Sequence, residues 1–328
     1  MDESTQPASD TIVCSVVIPN WNGAEHLPIC LESLRAQTLR ALEIIVVDNA
    51  STDDSLDLIA RDHSEVQVIA LAQNRGFTGA CNVGMEAARG EFVLLLNNDT
   101  EVDPRWLEEV VAAFRRHPEA GLVASKMLLF DQRDTFHTAG DFYRVDGLPG
   151  NRGVWQRDTG QYDREEPVFG ACGGSAAYRR TMLAEIGLLD DVFFFSCEDV
   201  DLAWRAQLTG WRCIYAPRAV VYHKLSATGG GVIASFYNGR NFIYLLVKDY
   251  PGDLWQRHWR DILRAQLHIT GEALRAWRGA AARARLRGQL SGLLGVPRML
   301  RKRRAVQRSR TVDRAYLDRL LTGVDESP

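Results

Sequence analysis

The N-terminal part of the chain alternates short apolar runs with longer stretches of helical period. Runs at 13–19, 42–47, 66–71 and 91–96 have the length of strands, and 93–96 is apolar at four successive positions. Uninterrupted runs of this kind suit strands covered on both faces. Helices are expected over 24–36, after the capping candidates Ser51 and Thr52, and over 80–88. Strands separated by helices describe βαβ units and a parallel sheet. Right-handed crossovers carry the strand ends to one edge.

Those runs end in polar residues. The most abrupt end is Asn97-Asn98-Asp99-Thr100, side chains that no core accepts unpaired. Ligands of open α/β sheets sit beyond the carboxyl ends of the strands. Asn22, Asp48, Asn74 and Asp99 are therefore expected along one rim, with Asp99 placed to hold a divalent metal or a ligand hydroxyl. A polar turn capping the helix predicted over 104–117 would explain the same residues. The first strand leads into Pro19-Asn20-Trp21-Asn22-Gly23, not Gly-x-Gly-x-x-Gly, and no Gly-x-x-x-x-Gly-Lys occurs. Dinucleotide-binding and P-loop classes are disfavoured.

Further along, 121–130 reads as a strand, 131–166 dissolves into Gly, Asp and Arg with single aromatics and reads as a long substrate-side loop, and 168–178 is small and Gly-rich. A strand so bare suggests close approach by a ligand or another backbone. A short helix is expected over 179–186. Glu198, Asp199 and Asp201 then follow three phenylalanines and open a helix to about residue 208. Ser196 with Asp199 has the form of a capping box, and Asp201 stands at i,i+4 to Arg205. Neither accounts for Glu198 or for the clustering. Aromatic surroundings dry enough to tune a carboxylate would make a general base here. A strand pair over 210–217 and 219–222 ends at His223, and helices resume over 234–247 and 254–277.

Hydrophobic content of 46% and charged content of 25% are those of a soluble globular protein, with no run of membrane-spanning length and no signal peptide. Six scattered cysteines without a Cys-x-x-Cys pair argue against a zinc site or disulfide framework and suit the cytoplasm. The net charge of −3 conceals an asymmetry. Twelve Arg and Lys and no acid fall within 273–312, so the remainder of the chain stands near −15. Such a body repels nucleic acid. The basic segment, with leucines at helical spacing, reads either as a packed helical appendage with solvated arginines or as an in-plane helix on an anionic membrane.

Several of these segments together resemble glycosyltransferase family 2, in particular its bacterial rhamnosyltransferase-like members. They are Val17-Ile18-Pro19-Asn20-Trp21-Asn22, Val46-Val47-Asp48-Asn49-Ala50-Ser51, Asn74-Arg75-Gly76-Phe77 with Asn82-Val83-Gly84, Leu96-Asn97-Asn98-Asp99-Thr100, Gly173-Gly174-Ser175, Glu198-Asp199-Val200-Asp201 and His223. The resemblance spans 13–250. It implies an α/β glycosyltransferase-A fold, with a Rossmann-like, mostly parallel central sheet and a C-terminal helical extension. The expected organisation is a disordered N-terminus (1–12), a catalytic domain (13–235) and a helical, basic extension (236–328).

The implied activity is inverting transfer of a sugar from a dTDP-, UDP- or GDP-linked donor to a glycan or polyprenyl-linked acceptor in cell-surface polysaccharide synthesis. The alternative is a catalytically weak relative that binds a nucleotide sugar or glycan. The resemblance assigns donor binding to Pro19, Asn20, Asn22, Asp48, Asn49, Asn74, Arg75, Gly76, Asn82, Asn97 and Asn98. It makes Asp199 the base, supported by Glu198 and Asp201. Asp99 and His223 would hold Mg²⁺ or Mn²⁺. Asn97 stands where the family often has an aspartate, which leaves Asp99 as the one carboxylate ligand of that motif. A homo-oligomer is compatible with the sequence, as is peripheral membrane contact through the basic segment.

Overall fold

The computed structural model describes residues 12–224 and 231–326. The expected disordered N-terminus lies, but for its last residue, outside the described residues. Four strands pair in parallel in the order β4-β1-β2-β3: β1 (Cys14–Asn20), β2 (Leu42–Asp48), β3 (Gln67–Ala70) and β4 (Phe92–Leu96). They are joined by α1 (Leu27–Arg35), α2 (Ser55–Asp62) and α3 (Gly76–Ala87). The register sets Asn20 beside Asp48 at the strand ends. The short β5 (Thr100–Val102) leads to α4 (Trp106–Arg116) and the fully buried β6 (Ala120–Leu129).

The region 131–166 is not one long loop. It holds β7 (Phe136–Thr138), β8 (Asp141–Tyr143) and β9 (Pro149–Asn151), and β10 (Glu166–Val168) begins at its end. Each is three residues long, too short to show a period of two in the sequence. After β11 (Ser175–Arg179), α5 (Arg180–Ile186) and α6 (Glu198–Thr209), the expected strand pair is one strand, β12 (Arg212–His223). It breaks register with β6 between Ala216 and Val220, around Pro217, which has no N–H to give a ladder. β11 lies antiparallel between β4 and β6.

Apolar side chains fill both faces of the sheet. α1, α2 and α4 cover one face, and α3, α5 and α6 the other. A third, aromatic core lies beneath the C-terminal helices α7 (Val232–Lys248), α8 (Gly252–Arg275), α9 (Ala280–Arg308) and α10 (Arg314–Leu320). Tyr143 meets Trp204 edge-on at 4.9 Å there, and Trp204 meets Tyr250 at 5.8 Å. The boundary expected after residue 235 falls inside α7.

Glycines bring α9 against α7. Gly288 lies against Phe236 and Gly292 against Arg240, so the two helices run in the same direction and α8 returns between them. A Cβ at Gly288 would stand 2.0 Å from the Phe236 carbonyl oxygen. Gly288→Ala should therefore part the helices and cost about 1–3 kcal/mol. A thermal melt checks it: the melting temperature falls, whereas an unchanged value would show that the contact is loose.

Candidate active site

The strand ends are stitched together by their own amides. Asn20 donates from Nδ2 to Asp48 Oδ1 at 3.0 Å and accepts from Asn98 Nδ2 at 2.7 Å. Asp48 Oδ2 accepts from the Ser51 amide at 3.0 Å, and Asn22 Oδ1 accepts from the Thr52 amide at 2.8 Å. Ser51 and Thr52 thus close this loop and do not cap α2, whose N-cap is Asp54. Asn49 bridges to Asn74 at 3.1 Å and to the Gly76 carbonyl at 3.1 Å, and its Oδ1 accepts from the Arg75 amide at 2.7 Å. The rim is one polar surface because Asn20 and Asn49 each both donate and accept.

A cavity of about 600 Å³ opens over this rim. Pro19, Asn20, Trp21, Asn49, Asn74, Gly76, Asn97 and Asn98 form its sheet side. Facing them are Phe194, Phe195, Ser196, Glu198 and Asp199, with Ile233 from α7. Gly76 joins the two sides: its φ is +75°, and a Cβ there would stand 2.6 Å from the Phe194 ring. The bare segment predicted to admit a close approach lies in the floor. The Gly173 amide donates to Asp199 Oδ2 at 2.7 Å, and a Cβ at Gly173 would crowd both Asp199 and Glu198 at 3.3 Å.

Seven predicted residues do not line the cavity: Asn22, Asp48, Arg75, Asn82, Asp99, Asp201 and His223. Asn82 uses its amide on Leu189 O and Asp191 Oδ1, both at 2.8 Å, and does not line the cavity. Asp48 is buried behind Asn20. Asp201 is fully buried, accepting from Arg205 Nε at 2.9 Å and from Lys248 Nζ, so it ties α6 to α7. The capping box does not form either. Ser196 Oγ donates to Asn238 Oδ1 at 2.6 Å, and the N-cap is Cys197 in a left-handed conformation.

Sequence reasoning missed His137 and Asp141, which come from the region with no legible period. His137 Nδ1 lies 3.1 Å from His223 Nδ1, and burial, then His223, lowers its pKa to about 3. Antiparallel pairing of β12 with β5 sets His223 opposite Thr100 and so beside Asp99. His223 Nε2 is 3.1 Å from Asp99 Oδ1, which is buried without a hydrogen-bond partner. An orphaned carboxylate oxygen next to an imidazole nitrogen fits a divalent cation. If His223 donates from Nδ1 to the neutral His137, its Nε2 carries the lone pair that a cation requires. Among the described residues no third His, Cys, Asp or Glu completes a ligand group. A cation here would need ligand atoms from the donor or from water.

Glu198 and Asp199 crowd the opposite wall, with Asp141 close enough to feel the charge of Asp199. Burial, then the neighbouring Asp199, pushes Glu198 well above the usual carboxylate range, and Glu198 Oε2 has no partner. Burial raises Asp199 as well, against the opposing pull of the Gly173 and Val200 amides. Burial and then Asp199 raise Asp141. Glu198 and Asp141 thus stand well above the usual range, while the two amides oppose the rise at Asp199.

A family profile described as Glycosyl transferase family 2 matches residues 15–187, just over half of the chain. The chain belongs to glycosyltransferase family 2. It is 26% identical over 283 residues to the N-acetylglucosaminyl-diphospho-decaprenol L-rhamnosyltransferase of Mycobacterium tuberculosis, a match covering 79% of this chain and 92% of that one. Solved structures at lower identity share the glycosyltransferase-A fold. S. aureus TarS 1-349 in complex with UDP superposes with a TM-score of 0.54 at 20% identity, over 90% of each chain. The Pyrobaculum calidifontis mannosyltransferase PcManGT, in complex with GDP-Man and Mn²⁺, does so with 0.54 at 16% identity, over 94% of this chain and 82% of that one. The family 2 chain also spans 43% of the longer TarS chain.

The raised pKa of Glu198 has a consequence for stability. Folded Glu198 holds its proton to higher pH than the unfolded chain does. Its contribution to stability is complete at low pH and is lost as pH rises through the raised folded pKa. Glu198→Gln should therefore raise the melting temperature near pH 7, with the gain shrinking to nothing towards about pH 4. Melts across pH check this; a gain that stays constant with pH would contradict it.

Proposed function

We propose that this family 2 enzyme is an inverting transferase that moves a sugar from a nucleoside diphosphate donor to a lipid-linked or glycan acceptor of the bacterial cell surface. One observation carries the mechanism: Asp199 faces the Asn97–Asn98 strand end across a single cavity. The donor nucleotide lies along the rim of Asn20, Asn49, Asn74 and Asn98, with Trp21 offering an aromatic face. Asp48 fixes Asn20, Asn22 closes the loop through Thr52, and Arg75 and Gly76 follow the rim. Asn82 and Asp201 serve the framework and not the ligands.

The acceptor enters on the side of Phe194, Phe195 and Ile233. Asp199, ionised and held by the Gly173 amide, takes the proton of the acceptor hydroxyl. The acceptor oxygen forms a bond to the anomeric carbon as the bond to the diphosphate oxygen breaks, and that oxygen leaves with the electron pair. Glu198 stays protonated beside Asp199 and keeps a second negative charge out of the cavity. Asp99 and His223 would hold Mg²⁺ or Mn²⁺, which offsets charge on a departing diphosphate. The relative's decaprenol-linked substrate supports a polyprenyl-linked acceptor for this chain. Its free cysteines suit the cytoplasmic side of the membrane.

Two variants separate chemistry from framework. Asp199→Asn keeps the shape but cannot take the proton, so turnover should fall about 10²- to 10⁴-fold with donor affinity retained. Asp201→Asn should lower the melting temperature first, because it breaks the buried contacts to Arg205 and Lys248. Turnover, donor affinity and melting temperature are measured for both, using a panel of UDP-, GDP- and dTDP-sugars. An Asp199→Asn enzyme working at the wild-type rate removes the base.

Asp99→Ala should abolish turnover with the fold intact. Full wild-type activity in excess chelator would exclude the cation.

A further inference from the structure

The outer surface of α8 and α9 takes no part in the chemistry above, yet it is the most apolar exposed surface of the C-terminal helices. Because α9 turns its glycines to α7, its opposite face looks outward. On that face Leu290, Leu293 and Leu294 are 60%, 61% and 75% exposed. Arg283 and Arg287 precede them, and Arg301, Arg304 and Arg308 follow, all at helical spacing on the same side. The helix is thus apolar at its centre and basic at both ends of one stripe.

A second stripe adjoins the first. Trp259, Leu263, Leu267 and Leu274 recur on one side of α8, each about half exposed. Gln289, next to Leu290, donates to Thr270 Oγ1 at 2.8 Å, and Thr270 lies between Leu267 and Leu274. The two apolar stripes therefore meet along the line where the helices touch.

Charge selects among the surfaces that could cover them. α9 carries nine Arg and Lys and no acid. Of these, Lys302 ion-pairs, with Asp190 at 3.0 Å, and no other does so among the described residues. A second copy would bring this basic face against its equal. A nucleic acid would leave the leucines and Trp259 without a partner and would meet an acidic body. No helix among the described residues is long and apolar enough to cross a membrane. A stripe of leucine and tryptophan edged by unpaired arginine has the chemistry of a helix lying in the plane of a lipid surface.

We propose that the joined face of α8 and α9 docks on an anionic bilayer, with the leucines in the interface and the arginines on lipid phosphates and acidic headgroups. α9 meets α7 at Phe236, one helical turn from Ile233 in the cavity wall. The docking stands on the surface alone and is tested without turnover.

The full chain is sedimented with extruded vesicles of phosphatidylglycerol and phosphatidylcholine, and with pure phosphatidylcholine, at low and at higher salt. Wild type should bind the anionic vesicles and not the neutral ones, and binding should weaken as added salt screens the charges. Arg301→Gln with Arg304→Gln should lower partitioning roughly thirtyfold, from about 1 kcal/mol per basic residue. Leu290→Ser with Leu294→Ser should lower it at least about tenfold. Both variants should melt as wild type does, because the replaced side chains are exposed. Failure of wild type to bind anionic vesicles at low salt overturns the proposal. So does equal binding to both vesicle types, or binding that neither variant weakens. A concentration-dependent dimer that the leucine variant abolishes, without vesicle binding, assigns the face to a second copy instead.

Discussion

Between Phe193 and Glu198 the backbone passes through the left-handed region three times, at Phe194 (φ 62°), Ser196 (φ 66°) and Cys197 (φ 67°). None is glycine, and each such residue costs on the order of 1–2 kcal/mol. The turn survives because α7 grips its carbonyls. Asn241, fully buried, donates to Phe193 O, Phe195 O and Ser196 O at 3.2, 3.0 and 2.7 Å. Arg240 adds Val192 O and Phe193 O at 2.9 and 2.7 Å. This clamp aims the start of α6, and with it Glu198 and Asp199, into the cavity. Strain of this kind persists where the surroundings over-determine it, and it gathers at functional sites.

The clamp also explains why the C-terminal helices matter to a site built on the sheet. α7 supplies Asn238, Arg240 and Asn241 to the turn and Lys248 to Asp201. α9 in turn packs its glycines on α7 and reaches Asp190 through Lys302. Asp190 is held at about 2 by Lys248 and Lys302 against the cost of its own burial, so it stays charged and keeps both lysines in place. The path from α9 to the cavity wall is thus a series of packed contacts.

The rim is legible because parallel strands end together, so the polar residues that follow the apolar runs, Asn22, Asp48, Asn74 and Asp99, come to one edge whatever the loops do. His223 was legible as a strand end, although its strand was taken for two; the break at Pro217 is a local register shift that sequence alone cannot tell from a turn. Two features stayed hidden for physical reasons. His137 and Asp141 lie on three-residue strands, where two alternations cannot be distinguished from chance. Ser196 and Asp199 match a capping box in spacing, but a tertiary partner, Asn238, takes the hydroxyl and the N-cap moves to Cys197. Asn241, the residue that orders the turn, looks in sequence like any polar position in an amphipathic helix.

The stereochemistry of transfer tests most directly whether one carboxylate acts on the acceptor and none attacks the sugar. Asp199 lies on the wall facing Asn97 and Asn98, and among the described residues no carboxylate lines the sheet side. NMR of the anomeric centre in the donor and in the first-formed product decides it. The account predicts inversion in a single displacement. Retention of the donor's anomeric configuration would contradict it.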